Sequence, residues 1–103
     1  MQLERDLQRT ILDYLRLHRI LAVRINNGAV KLGKRFVRFT DTKGVADILG
    51  CINGQFFAIE CKSQRGEQSR WQTEFQHQVE ASGGMYCVAR DVGDVERMLK
   101  VRA

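Results

Sequence analysis

The chain has 103 residues, enough for one core and too few for two domains, so a single domain over residues 1–103 is expected. A composition of 44% hydrophobic and 28% charged residues, with nine glycines and no proline, excludes a disordered, collagenous or disulfide-scaffold chain. Seventeen Lys and Arg against twelve Asp and Glu give a net charge of +5, which favours an anionic partner and leaves nucleic acid, acidic protein and membrane surface open.

In chain order, Leu3, Leu7, Ile11, Leu12, Tyr14 and Leu15 recur at three- and four-residue spacing, which predicts an amphipathic helix from Leu3 to His18. Ile20 to Ile25 is a short Leu-, Val- and Ile-rich strand running into the turn Asn26-Asn27-Gly28. A basic, glycine-bearing segment follows, then a short strand over Phe36-Val37-Arg38-Phe39 and a polar loop from Asp41 to Gly44. Between Val45 and Lys62 two apolar runs flank Asn53-Gly54, the dipeptide that most strongly marks a two-residue hairpin turn. Ser69 opens a second helix with Trp71, Phe75 and Val79 on one core stripe and Gly83-Gly84 as its stop. Met85 to Ala89 reads as a buried strand, and Val92 to Leu99 as a closing helix. The order α-β-β-β-β-α-β-α implies an α/β fold, a mixed sheet flanked by helices.

No apolar stretch approaches the roughly 20 residues that span a bilayer, and no signal-peptide pattern is present, so a soluble, cytoplasmic protein that is not secreted is expected. Cys51, Cys61 and Cys87 are odd in number, lack CxxC spacing and lie in apolar runs, which reads as reduced, buried thiols. His18 and His77 have no partner at ligand spacing, and the glycines form neither GxGxxG nor a P-loop, so no nucleotide cofactor is expected.

With Asn53 and Gly54 as the turn, Ile52 pairs with Gln55, and Asp47 falls opposite Glu60. Side-chain alternation puts Lys62 on the Glu60 face, so the three should project together from one end of the hairpin. Facing carboxylates repel, the more so in a strand that is otherwise apolar over Phe56, Phe57, Ala58, Ile59 and Cys61. Lys62 offsets one charge. Two carboxylates, the Cys61 backbone carbonyl and open positions for water make an oxygen-rich site suited to Mg²⁺ or Mn²⁺. An ordinary solvated hairpin end is the structural alternative.

Asp47 followed after twelve residues by Glu60-Cys61-Lys62 resembles the PD-(D/E)xK nuclease motif. Glu4 and Gln8, Gly44-Val45-Ala46-Asp47-Ile48, Ala58-Ile59-Glu60-Cys61-Lys62, Ser69 with Gln72, and Gly83-Gly84 before a strand together resemble the VRR-NUC (virus-type replication-repair nuclease) family across nearly the whole chain. The resemblance implies a restriction-endonuclease-like fold whose hairpin carries the metal site. It also implies metal-dependent endonuclease activity on branched DNA, such as four-way (Holliday) junctions or flaps, in a bacterial or phage-infected cell. Carried over by position, Asp47 and Glu60 bind the metal, and Glu4 reaches it directly or through water. Lys62 positions or activates the attacking water, and Gln72 completes the site. Ala46 departs from the family pattern, in which proline commonly precedes the Asp. Two of these residues keep a second explanation: Ser69 and Gln72 fit an S-x-x-Q capping box, and Glu4 fits a helix-dipole acid.

The charge is segregated. Residues 1–43 hold ten basic and four acidic side chains, and residues 44–103 hold seven and eight. Arg24, Lys31, Lys34, Arg35, Arg38 and Lys43 therefore form a candidate phosphate-contacting surface close in sequence to Asp47, one that reads nucleic-acid shape more than base sequence. A chain this short hardly encloses a four-way junction, so a homodimer with an apolar interface, taking in part of the first helix, is expected. The competing readings are another nuclease of the superfamily, an archaeal-type junction resolvase or a restriction-like enzyme, and a non-catalytic DNA-binding module of the same fold.

Overall fold

The computed structural model of the chain describes residues 3–26, 28–38 and 40–100. Its elements are α1 (Glu4–Leu17), β1 (Leu21–Arg24), β2 (Ala29–Leu32), β3 (Arg35–Arg38), β4 (Ile48–Ile52), β5 (Gln55–Cys61), α2 (Arg70–Ala81), β6 (Met85–Ala89) and α3 (Val92–Lys100). Asn27 and Phe39, in the expected first turn and at the end of the expected 36–39 strand, lie outside the described residues, as does the side chain of Arg38.

The connection between β4 and β5 sets the geometry of everything that follows. Asn53 and Gly54 both adopt positive φ, 50° and 80°, the backbone that lets a two-residue turn match the right-handed twist of its strands. Ile52 then pairs with Gln55, and the antiparallel register runs through Cys51↔Phe56, Gly50↔Phe57 and Leu49↔Ala58 to Ile48↔Ile59. β1 adds antiparallel to β4, and β6 adds parallel to β5, giving a mixed four-stranded sheet in the order β1-β4-β5-β6. The parallel pair needs a long crossover, which α2 supplies.

Alternation along β5 divides the interior into two layers. Phe57, Ile59 and Cys61 face α1 and α3, packing with Leu7, Ile11, Leu15, Val95 and Leu99. Ala58 faces α2, where it packs with Ala46 and Val79 over Leu49, Phe75 and Tyr86. The larger layer holds the fold together. Each fully buried Phe57 or Ile59 side chain contributes on the order of 1.5–3 kcal/mol of transfer free energy. The α2 layer is thin and built on alanines, and a polar residue can be placed there without displacing a large side chain.

Several expectations are corrected. The segment after Gly28 contains a strand, β2, which pairs with β3 through Leu32↔Arg35, Lys31↔Phe36, Val30↔Val37 and Ala29↔Arg38. These two strands form a separate sheet, so β3 does not join the central one. Leu3 is exposed; it precedes α1 in extended conformation, and burial in α1 begins at Leu7. Trp71 leaves the expected core stripe, being 43% exposed while Phe75 and Val79 pack inward, because it stands in the first turn of α2, outside the Ala46–Ala58–Val79 cluster. Of the three free cysteines Cys61 alone is fully buried, while Cys51 and Cys87 are half-buried.

Candidate metal centre

The β4–β5 ladder ends at Ile48↔Ile59, and Asp47 stands one residue beyond it, beside the C-terminal end of β5. Its Oδ2 accepts a hydrogen bond from the Cys61 backbone N–H at 2.8 Å, while its own carbonyl accepts from Ile25 N–H at 2.7 Å. The residue is thus tied to both neighbouring strands. Glu60 lies on the α2 face of β5 and is 3% exposed. Ala46 is fully buried in the small α2 layer, with Ala58 and Val79.

Glu60 Oε1 accepts from Gln72 Nε2 at 3.0 Å, but Oε2 is buried and has no hydrogen-bond partner. Burial is the first reason its pKa is pushed up, to about 9; the neighbouring Asp47 carboxylate adds to it, Lys62 pulls it partly back, and Glu4 raises it slightly. Glu4, at the exposed start of α1, crosses to the same end of the sheet, where Oε2 accepts from Ser63 N–H at 3.3 Å. Lys62 is half-buried just beyond β5, its N–H donating to the Ala89 carbonyl at 3.0 Å.

Gln72 reconciles its two readings. Its Oε1 accepts from Ser69 N–H at 2.8 Å and its N–H donates to Ser69 Oγ at 3.2 Å, which completes the capping box. The remaining end of the amide, Nε2, is the one that reaches Glu60. Capping fixes which end of the amide faces the acid, and the first turn of α2 is locked over Glu60 by the same side chain.

Among the described residues, no three His, Cys, Asp or Glu side chains are gathered closely enough to hold a metal ion by themselves. The donor set nevertheless fits a hard cation. A buried carboxylate oxygen without a donor, facing a second carboxylate, is costly for a metal-free protein and favours a bound proton, Lys62 offsetting only part of the charge. Mg²⁺ or Mn²⁺ takes oxygen ligands and keeps several waters, so two carboxylates suffice as its protein side-chain ligands.

The expected basic surface is divided among three places. Arg24 shares its strand face with buried Ala22 and borders a cleft with Arg9 and Arg16 on the α1 side of the sheet, opposite the Glu60 face. Lys31, Lys34 and Arg35 are exposed on the β2–β3 sheet, with Arg38 in β3 by its backbone. Lys43 stands at the first turn of α2, its Nζ 4.9 Å from the centre of the Trp71 ring. Gly44 makes that approach possible: at φ +79°, it lies so close to the first turn of α2 that a Cβ would collide with the Trp71 carbonyl. The sequence signal for this contact is the glycine itself, three residues before Asp47. Both histidines are exposed, His18 resting against Tyr14 with ring centres 4.5 Å apart.

Against known proteins, no family model matches the chain and no curated protein matches it. Among the described residues, no helix is long and apolar enough to cross a membrane.

Proposed function

We propose that the protein is a divalent-metal-dependent endodeoxyribonuclease of the restriction-endonuclease-like fold, acting on branched DNA as its resemblance to the VRR-NUC family implies. The observation that carries this reading is the buried, partnerless Oε2 of Glu60 beside Asp47 at the end of the β4–β5 pair. In this reading Asp47 and Glu60 hold Mg²⁺ or Mn²⁺, with the Cys61 carbonyl and, through water, Glu4 as further oxygen donors. The ion supplies Lewis acidity towards the phosphodiester and a more acidic water. Lys62 Nζ orients the attacking water and offsets charge on the phosphate. Gln72 Nε2 holds Glu60 in place, leaving Oε2 free for the cation. Two copies of the chain, one site each, would serve the two strands cut at a four-way junction.

The test is cleavage of a four-way junction, a flap and a linear duplex, each with Mg²⁺, with Mn²⁺ and with EDTA. Branched DNA should be cut only with a divalent ion, and Asp47→Ala or Glu60→Ala should lower the rate at least about 100-fold while retaining DNA binding. Binding of branched DNA with no cutting under any metal would identify a non-catalytic module. Preferential cutting of linear duplex would identify a restriction-like enzyme instead.

A further inference from the structure

Trp71 is a large apolar side chain left 43% exposed one residue from Gln72, whose amide nitrogen touches Glu60. It is also flanked by positive charge. Lys43 Nζ lies 4.9 Å from the ring centre and the Arg70 guanidinium carbon 5.0 Å from it. A cleft of about 280 Å³ opens at this point, lined by Thr40, Thr42, Lys43, Ser69, Trp71 and Gln72 among others. Its lining is hydroxyl-, amide- and ammonium-rich around a single aromatic ring. The loop carrying Lys43 is pinned there by the close approach of Gly44 to the Trp71 backbone, so the arrangement is built into the fold.

We propose that Trp71, with Lys43 and Arg70 beside it, is a stacking platform for the base of an unpaired DNA nucleotide next to the metal centre. An indole face accepts the π-face of any base, and cations held within about 5 Å of it suit the flanking phosphates. In a duplex both faces of a base are covered by its neighbours, so a platform of this kind engages strands that are unpaired, as at a flap or the mouth of a branch. The Arg70 cation now over the ring is not an obstacle. The Arg70 side chain is 78% exposed and its ion pair with Glu74 is long, at 3.5 Å, so it can yield the ring face and turn to phosphate. Exposed cation–π contacts are weaker than base–aromatic stacking, which decides the exchange in favour of the base. The platform rests on the nuclease reading for its substrate, and it makes Trp71 a residue that selects unpaired DNA without acting on the scissile bond.

Trp71 is the only tryptophan in the chain, so its own emission reports the contact. A single-stranded oligonucleotide, a blunt duplex of the same sequence and a mononucleotide are titrated into the wild-type protein at low salt in EDTA, where no metal-dependent cleavage occurs. The single strand should quench Trp71 emission by more than about half at saturation, and the duplex and mononucleotide far less. By anisotropy, Trp71→Ala should weaken single-strand binding about tenfold with duplex binding unchanged, and Trp71→Phe should restore it to within a few-fold. Equal quenching by strand and duplex, quenching by mononucleotide as strong as by strand, or no quenching at all would overturn the platform. Because the measurement excludes divalent metal, quenching by the single strand supports the platform even if the protein proves unable to cut DNA.

Discussion

The β4–β5 pair and the β2–β3 sheet are both built from two antiparallel strands and a two-residue turn, and they have opposite characters. The first is buried between helices, with Phe57, Ile59 and Cys61 fully covered and an acid pair at its end. The second has every described side chain exposed, Phe36 at 74%, and within residues 29–38 it carries Lys31, Lys34, Arg35 and Arg38 with no acid. A lone two-stranded sheet is marginal in water, so the arm is ordered chiefly by its own turn and cross-strand pairs. Burial is concentrated where two carboxylates lie close together, and the exposed basic side chains fall where the sheet has no buried face.

Two phenylalanines test this contrast most sharply. Phe57→Ala removes a fully buried ring that lies across Gly50 and against Met85, and it should cost about 3–5 kcal/mol, a large part of the stability of a small domain. Phe36→Ala removes an equally large ring from the arm and should change stability by no more than about 0.5 kcal/mol. Chemical denaturation of the two variants measures both. Comparable losses would mean that the arm is packed as a structural part of the domain.

The acid pair gives the next largest effect, and its sign follows from Glu60. Its pKa is raised from 4.5 to about 9, so between these values the metal-free folded protein holds a proton that the unfolded chain has released. Stability is therefore greatest at the acid end of that window and falls as pH rises through it, by a few kcal/mol. Asp94, shifted down from 3.8, titrates below the window, and Tyr86 and Cys87, pushed up to about 12, titrate above it. Thermal unfolding from pH 5 to 9 in EDTA should show this decline. Glu60→Gln should flatten it, since the amide keeps a partner for Gln72 and offers a donor to Asp47. Mg²⁺ or Mn²⁺ should flatten it in the wild type by replacing the proton. A wild-type protein whose metal-free stability is level or rises over this range would show that the pair is not buried as described.

What could be read from the residues follows the same division. Asn53-Gly54 determines a register by turn geometry, and that register brings Asp47 to Glu60 across the strands, because a two-residue turn leaves no freedom to slip. Ser69-x-x-Gln72 predicts its own capping box, but the second hydrogen bond of Gln72 depends on where α2 lies over β5, which no local pattern encodes. The three-residue stripe Trp71, Phe75, Val79 gives alignment on a helix face and not the extent of the layer beneath it, so the exposure of Trp71 is a tertiary fact. β2 went unforeseen for a physical reason as well. Val30 and Leu32 alternate with Ala29 and Lys31, yet both faces are exposed, and a strand without a buried face leaves little hydrophobic contrast to read.

The arm makes the smallest and most specific prediction. Lys31 and Phe36 share one face through their cross-strand pairing, while Leu32 and Arg35 share the other, and Lys34 sits in the turn between the strands. Charge is thus spread around the arm and not concentrated in one groove, an arrangement suited to phosphates met from several directions and unsuited to reading base edges. Lys34→Ala and Arg35→Ala should each weaken DNA binding by a few-fold at low salt, equally for unrelated sequences. Each should lower the slope of log affinity against log salt by about one if its phosphate contact is made in the complex. Stability should stay within about 0.5 kcal/mol, because neither side chain is buried. Arg24→Ala is the informative control: it borders the α1-side cleft on the opposite face from Glu60, and a DNA path confined to the Glu60 face leaves the salt slope unchanged in that variant. A slope change for Arg24 equal to that for Lys34 would mean that DNA wraps around the edge strand β1 and contacts both faces of the sheet.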